Sequence, residues 1–334
     1  MKKIIIGIIS AVLLLSTTAC NSENTEGNKQ ENSELTVNIG TMDLVNGGLI
    51  ALYEKYYEEQ LGVNVNLIKF DSGKDVNAAI ASGAVDIAQM GSTPTALAIS
   101  NNLDYKVVWV SDVIGAAESL AVKEDSGING IADLKGKTIA TPFSSTAHYS
   151  LLNALKLEGI SESDVNIIDL ETKDIYAAWT RGDIDGAYVW YPVLGQLIEN
   201  GGKVIIGSDK LAEKGVITAD LMGARGEFVK NHPDIVTKYV KAQIQANDII
   251  FNEPDRAADE ISKYLGIPKA DAEEQMTQFL YLNVEKQIEY LKKLPDTLKS
   301  TADFLVEQKS IKAAPDLDKF KNSVTTEFVE NAAK

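Results

Sequence analysis

The sequence predicts an α/β protein of two domains followed by a group of C-terminal helices. Two observations carry the fold class. Short β-like runs alternate with amphipathic helical stretches from Leu35 to Val122, and the cycle restarts at Thr138. After Glu227 the periodicity is helical almost to the end. The length of 334 residues is comfortable for two packed domains. Sheets covered by helices on both faces bind ligands where helix N-termini converge at strand C-terminal ends.

Taken in order, Leu35–Ile39 alternates like a strand, and Gly47–Gln60 reads as a helix with Leu49, Leu52, Tyr53 and Tyr56 on one face. Val63–Leu67 is a strand, Val76–Ser82 a helix and Asp86–Met90 a strand. Pro94–Ser100 opens another helix with proline in its first turn. Lys106–Val113 and Ser119–Val122 are β-like. In the second cycle the expected strands are Thr138–Thr141, Val165–Leu170, Asp185–Val189 and Val204–Ile206. The helices between them are Thr146–Leu157, Asp174–Arg181 and Pro192–Asn200. Leu221–Ala224 is a last short strand. Helices then follow over Pro233–Phe251, Asp255–Leu265, Asp271–Leu280, Asp296–Gln308 and Phe320–Asn331.

Ahead of the folded part, Lys2 and Lys3 precede an apolar run from Ile4 to Leu15. That run is shorter than the ~20 residues a membrane span needs, and its flanks are those of a secretory signal over residues 1–19. The signal ends Leu15-Ser16-Thr17-Thr18-Ala19-Cys20, which resembles the bacterial lipoprotein box, with Thr17 where that box usually has leucine. Cys20 is the sole cysteine and is the expected lipidation site. Residues 20–34 hold the anchor and a polar, flexible tether without a large apolar residue.

With one cysteine, no intrachain disulfide forms, and with only two histidines a structural zinc site is not expected. No cofactor is called for. The formal net charge of −16 describes a soluble surface that repels nucleic acid and anionic lipid headgroups, so membrane attachment is expected through the anchor alone. No phosphate loop, dinucleotide fingerprint or nucleophile elbow is present. His148 lies near Ser144, Ser145 and Ser150, so a cleft hydrolase is the distant alternative.

Several stretches resemble the taurine-binding proteins of bacterial importers, in the nitrate, sulfonate and taurine branch of the periplasmic binding proteins. They include Lys69-Phe70-Asp71-Ser72-Gly73, Ala81-Ser82-Gly83-Ala84-Val85-Asp86-Ile87 and Gly91-Ser92-Thr93-Pro94. The longer ones run from Thr141 to Leu152 and from Ala177 to Trp190. The resemblance implies the type II fold of that class, with the second domain inserted in the first through two crossovers. Domain 1 is then 35–121 plus 221–334, and domain 2 is 122–220. It further implies a non-enzymatic, monomeric, extracytoplasmic importer subunit that delivers its solute to a permease and ATPase. Alkanesulfonates, nitrate and a thiamine-pyrimidine precursor are the alternative ligands.

A sulfonate stays ionised and needs only hydrogen-bond donors, which helix starts and hydroxyls supply. Ser92 and Thr93, and Ser144, Ser145 and Thr146, each sit between a strand and a helix, where plain helix capping also favours Ser and Thr. An ammonium needs carboxylates. The resemblance places Asp220 on the family's amine-binding aspartate, and Glu118 stands near the other crossover. His148, Tyr149, Tyr188 and Trp190 are candidate walls, with core packing as their other reading. Met42 and Asp43 follow the first strand, where the family also places contacts but the sequence departs from it.

Overall fold

The computed structural model describes residues 35–334; the expected signal segment, Cys20 and the tether lie outside the described residues. Among the described residues eleven strands build two sheets. The first contains β1 (Thr36–Thr41), β2 (Asn64–Lys69), β3 (Ile87–Gly91), β4 (Tyr105–Ile114), β10 (Ala219–Arg225) and β11 (Phe279–Leu280). Its order is β11-β4-β10-β3-β1-β2. The second contains β5 (Glu118–Lys123), β6 (Thr138–Thr141), β7 (Asn166–Asp169), β8 (Gly186–Trp190) and β9 (Gly202–Gly207), in the order β7-β6-β8-β5-β9.

The sheets repeat one plan. In each, three parallel strands (β2-β1-β3 and β7-β6-β8) are followed by one antiparallel strand, β10 or β5. Those antiparallel strands are the ones the chain enters on crossing between sheets, through residues 115–117 and again through the segment before Ala219. Antiparallel entry has a direct consequence. The first residues of β10 and β5 lie beside the last residues of β3 and β8, so Asp220 faces Gly91 and Glu118 faces Trp190.

The expected division at residues 121/122 cuts through β5, all of which pairs within the second sheet. Ala219 and Asp220 likewise pair in the first sheet, before the expected return at 221. These bounds rest on the family resemblance and not on the strand pattern, which already reads Ser119–Val122 as β-like. Residues 36–334 pack as a single compact unit around both sheets.

Three other differences have physical reasons. The helix expected over Gly47–Gln60 breaks at Lys55 (φ 59°) into Gly47–Tyr53 and Tyr56–Leu61, which lets Leu49 and Ile50 bury from one turn direction and Tyr56 and Tyr57 from another. Tyr57 then stacks on Tyr239 at 5.0 Å. The helix expected to run to Leu280 stops at Met276, and Phe279–Leu280 pairs with Val113–Ile114 instead. The helix expected from Asp296 starts at Val284 and runs through Pro295 to Glu307. Asn283 caps it by accepting the Lys286 N–H at 3.0 Å, and Leu291, Leu294 and Leu298 keep one buried face on either side of the proline.

This long helix also touches β4 directly. The Gln287 amide takes the Val110 N–H on Oε1 (3.0 Å) and donates from Nε2 to the Val110 carbonyl (2.5 Å). Further along the strand, Val107 donates its N–H to the Ser323 carbonyl at 2.8 Å and accepts from the Thr325 N–H at 3.1 Å. The helix expected over Phe320–Asn331 is interrupted there, into Leu317–Asn322 and Glu327–Ala332.

Candidate functional site

The C-terminal ends of the parallel strands point into one cavity. Met42 and Leu44 follow β1, Gly91 ends β3, Ser145 and Thr146 follow β6, and Trp190 ends β8; all line it. So do Asp220 and Glu118, brought there by the antiparallel registry, with Ile114 and Phe279 closing the first-sheet side. The water-accessible volume is about 30 Å³. That is room for two or three waters at ~10–15 Å³ each, so the arrangement admits only a small ligand.

Helix starts meet at this cavity. Ser72 caps helix Gly73–Ala81, Gly91 precedes helix Ser92–Ser100, and Ser145 caps helix Thr146–Leu157. Gly73, Gly91, Pro94, Ser145 and Thr146 all reach the lining. First-turn N–H groups lack intrahelical partners and carry positive partial charge, so this side favours an anion. The hydroxyls do less than expected. Ser145 Oγ donates to the Pro142 carbonyl (2.6 Å) and accepts from the His148 N–H (3.1 Å). The Thr146 hydroxyl is donated to Glu118 Oε2. First-turn backbone N–H groups of these helices have no intrahelical acceptor, and the buried Thr93 hydroxyl has no hydrogen-bond partner in the structure.

Next to these helix starts the lining is acidic and dry. Glu118 is 1% exposed and Asp220 6%. Glu118 accepts from three hydroxyls, Thr146, Ser208 (3.0 Å) and Ser150 (3.3 Å), and the Tyr188 hydroxyl joins the network through Ser208 at 3.2 Å. Burial nevertheless dominates and, with the charge of Asp220, pushes the Glu118 carboxyl up to about 8. Asp220 is raised well above the usual carboxylate range, by burial first and by Asp112 second. Asp112, fully buried, is raised by the same burial. Among the described residues no group of three or more His, Cys, Asp or Glu side chains is placed to hold a metal ion.

Of the residues singled out from the sequence, Met42, Glu118, Ser145, Thr146, Trp190 and Asp220 line the cavity. Ser92 and Thr93 are buried beside it; the Ser92 hydroxyl accepts the Ala219 N–H at 3.3 Å. Ser144 takes a left-handed backbone (φ 64°) and offers its N–H to His148 Nδ1 at 3.4 Å. His148 stacks on Phe143 rather than facing the cavity, and burial pulls its imidazole down to about 4. Ser145 and Ser150, with hydroxyls given to Pro142 and Glu118, form no pair with that ring. Tyr149 packs edge-on against Phe304 in the second sheet's core, and Tyr188 is buried with it. The core reading, not the wall reading, describes both tyrosines, because the helix and strand that carry them turn those faces inward.

The sequence reading missed Asp112, Ser150, Ser208, Leu44 and Phe279. Asp112 alone had a signal: an acid two residues before the end of an otherwise apolar run. At the mouth, a second depression shares Met42, Leu44 and Trp190 with the cavity and adds Asp43. Two ion pairs cross nearby between helix starts: Lys74 with Glu171 (3.5 Å) and Lys173 with Asp71 (3.7 Å). Both are solvated, so each is worth at most about 1 kcal/mol.

Two sheets of this topology, entered by antiparallel strands, with a small cavity at their strand ends, make the type II fold of the periplasmic binding proteins. The chain belongs to the NMT1/THI5-like family, whose sequence pattern matches residues 45–257. It is 36% identical over 288 residues to the taurine-binding periplasmic protein of Escherichia coli (strain K12), covering 84% of this chain and 88% of that one. Among solved structures it is similar to the alkanesulfonate-binding protein of Xanthomonas axonopodis pv. citri bound to MOPS, with a TM-score of 0.74 and 20% identity over 87% of this chain and 98% of that one. A desulfurization enzyme has the same fold at a TM-score of 0.65 and 16% identity, over 89% of this chain and 98% of that one. Fold alone therefore does not separate binding from catalysis; the side chains must.

Proposed function

We propose that this protein is the extracytoplasmic binding subunit of an importer for taurine, and not an enzyme. One observation carries the reading: a small cavity lined both by helix starts and by two buried carboxyls, Asp220 and Glu118. A zwitterion with a sulfonate and an ammonium matches both kinds of lining. Alkanesulfonates and nitrate have no cation and would leave the acids unpaired, at a cost of desolvation without return. The larger pyrimidine precursor of thiamine suits a cavity this small less well. The taurine-binding relative supports the assignment. The likeness to a desulfurization enzyme does not, because Ser145, which lines the cavity, gives its hydroxyl to the Pro142 carbonyl, and the His148 imidazole stacks on Phe143. The test is titration calorimetry with taurine, ethanesulfonate and nitrate. Taurine is expected to bind tightest; equal or stronger binding of ethanesulfonate would replace it with an alkanesulfonate.

The two sheet-centred lobes act as two domains that close on the ligand about the two crossings, and the closed monomer presents it to a permease and its ATPase. Among the described residues no helix is long and apolar enough to cross a membrane. Retention at the membrane is assigned to lipidated Cys20. Cys20→Ala is expected to move the protein from the membrane fraction to the soluble one with taurine affinity unchanged; retention in the membrane fraction would remove the anchor.

A further inference from the structure

Asp112 lies behind the cavity wall and takes no part in the reading above, yet its surroundings are unusual for an acid. It is fully buried on β4, directly across from Asp220 on β10. One of its oxygens, Oδ2, accepts from Asn46 Nδ2 at 2.9 Å. The orientation of that amide is fixed, because Asn46 Oδ1 caps the next helix by accepting the Gly48 N–H at 3.0 Å. The other oxygen of Asp112, Oδ1, is buried with no donor. The group beside it is the Asp220 carboxyl.

The charged and titratable groups facing this pair are Glu118 from β5, Tyr281 just after β11, and Tyr290 from helix Val284–Glu307. None is a cation. Burial holds both phenols protonated, so neither adds charge. Three carboxyls thus share a desolvated site without a counter-ion. Two facing carboxylates in such a place do not both ionise, and one proton between them supplies the hydrogen bond that Asp112 Oδ1 lacks.

We propose that Asp112 is a positioning residue that holds one proton jointly with Asp220 in the ligand-free cleft, and that this proton leaves to solvent when a ligand ammonium takes its place against Asp220. The exchange rests on the zwitterionic ligand proposed above. One N–H bond of the ammonium replaces one O–H bond as donor to Asp220, the proton passes to buffer, and no covalent bond is made in the ligand. The linkage sign follows. The empty site binds more protons than the filled one, so affinity rises with pH through the titration range of the pair, by at most about tenfold per pH unit. A ligand without a cation releases no proton. The pair would thus read the positive end of the ligand and reject its uncharged analogues.

The experiment is titration calorimetry of the full-length protein with taurine in phosphate and in Tris, buffers of different ionisation enthalpy, between pH 6 and 8. The parent is expected to release up to one proton per taurine, seen as a buffer-dependent enthalpy, and to gain affinity with pH. Asp112→Asn keeps the shape, accepts from Asn46 and donates an N–H to Asp220 without a titrating proton. It is expected to bind taurine with the buffer dependence and the pH slope both reduced, the remainder belonging to Glu118. Taurine binding by the parent without proton release overturns the proposal, as does an unchanged release in Asp112→Asn. If the parent does not bind taurine at all, the ligand assignment fails and takes this inference with it. The parent measurement decides even if the variant does not fold.

Discussion

Asp220→Ala is expected to weaken taurine binding by roughly thirtyfold to several thousandfold, the range set by about 2–5 kcal/mol for removing one partner of a buried, hydrogen-bonded charge pair. The side chain is 6% exposed, stands beside Gly91 at the end of β3 and borders the cavity. Water cannot reach the vacated position cheaply, so a ligand ammonium there would be left with Glu118 and little else. Ethanesulfonate serves as the internal control. It has no ammonium to lose, so its affinity should change little or improve as a buried acid is removed. Calorimetry of both ligands with both proteins measures the difference. Equal weakening of the two would mean that Asp220 supports the cleft as a whole and does not recognise the cation.

Gly91→Val is expected to cost about 1–3 kcal/mol in ligand affinity, roughly a five- to 150-fold loss, through a different route. A Cβ at residue 91 would sit 2.8 Å from Thr146 Cγ2. Gly91 belongs to the first sheet and Thr146 to the helix that follows β6 of the second, so the contact is between the two sides of the cavity. The backbone of Gly91 is extended (φ −64°, ψ 162°) and accepts valine without strain, which separates this effect from misfolding. The variant should keep the parent's melting temperature without ligand while binding taurine weakly. Its scattering profile with saturating taurine should stay more expanded than the parent's. Parent-like affinity would show that the sides need not approach so closely when ligand is bound.

Much of this site was legible in the sequence because the fold concentrates it in predictable places. Ser145 and Thr146 were found by their position between an alternating strand and a periodic helix, a local pattern. Asp220 and Glu118 were found by a resemblance and by nearness to a crossing, and the registry with Gly91 and Trp190 explains why those positions face the cavity. Asp112 had a signal, as an acid near the end of an apolar run, but its partner was not legible, for the opposite reason. Its role depends on pairing with a residue more than a hundred positions away, and one acid in an apolar strand carries no such information. The tyrosines show the limit from another side. Tyr149 and Tyr188 belong to segments that match the family closely, but only the packing of Phe304 and the Ser208 hydroxyl against them reveals that they are interior. The same reasoning explains the break at Lys55: no local rule forbids a helix there, and burial of Tyr57 against Tyr239 requires one to stop.

The contacts along β4 bear on how this protein avoids its own kind. β4 lies next to the end of its sheet, flanked beyond β10 only by the two residues of β11. A strand left open in that way is a template on which another chain's strand can add, the first step of aggregation. Here the exposed row of peptide groups is covered piecemeal: Phe279–Leu280 at Val113–Ile114, the Gln287 amide at Val110, and residues 323–325 at Val107. A glutamine side chain carries the same donor and acceptor as a peptide bond, so it stands in for one residue of a missing strand. The C-terminal segments therefore insulate the edge. Because they are made after β4, the growing chain passes through a stage in which that edge is bare, and at that stage crowding with other copies is most dangerous.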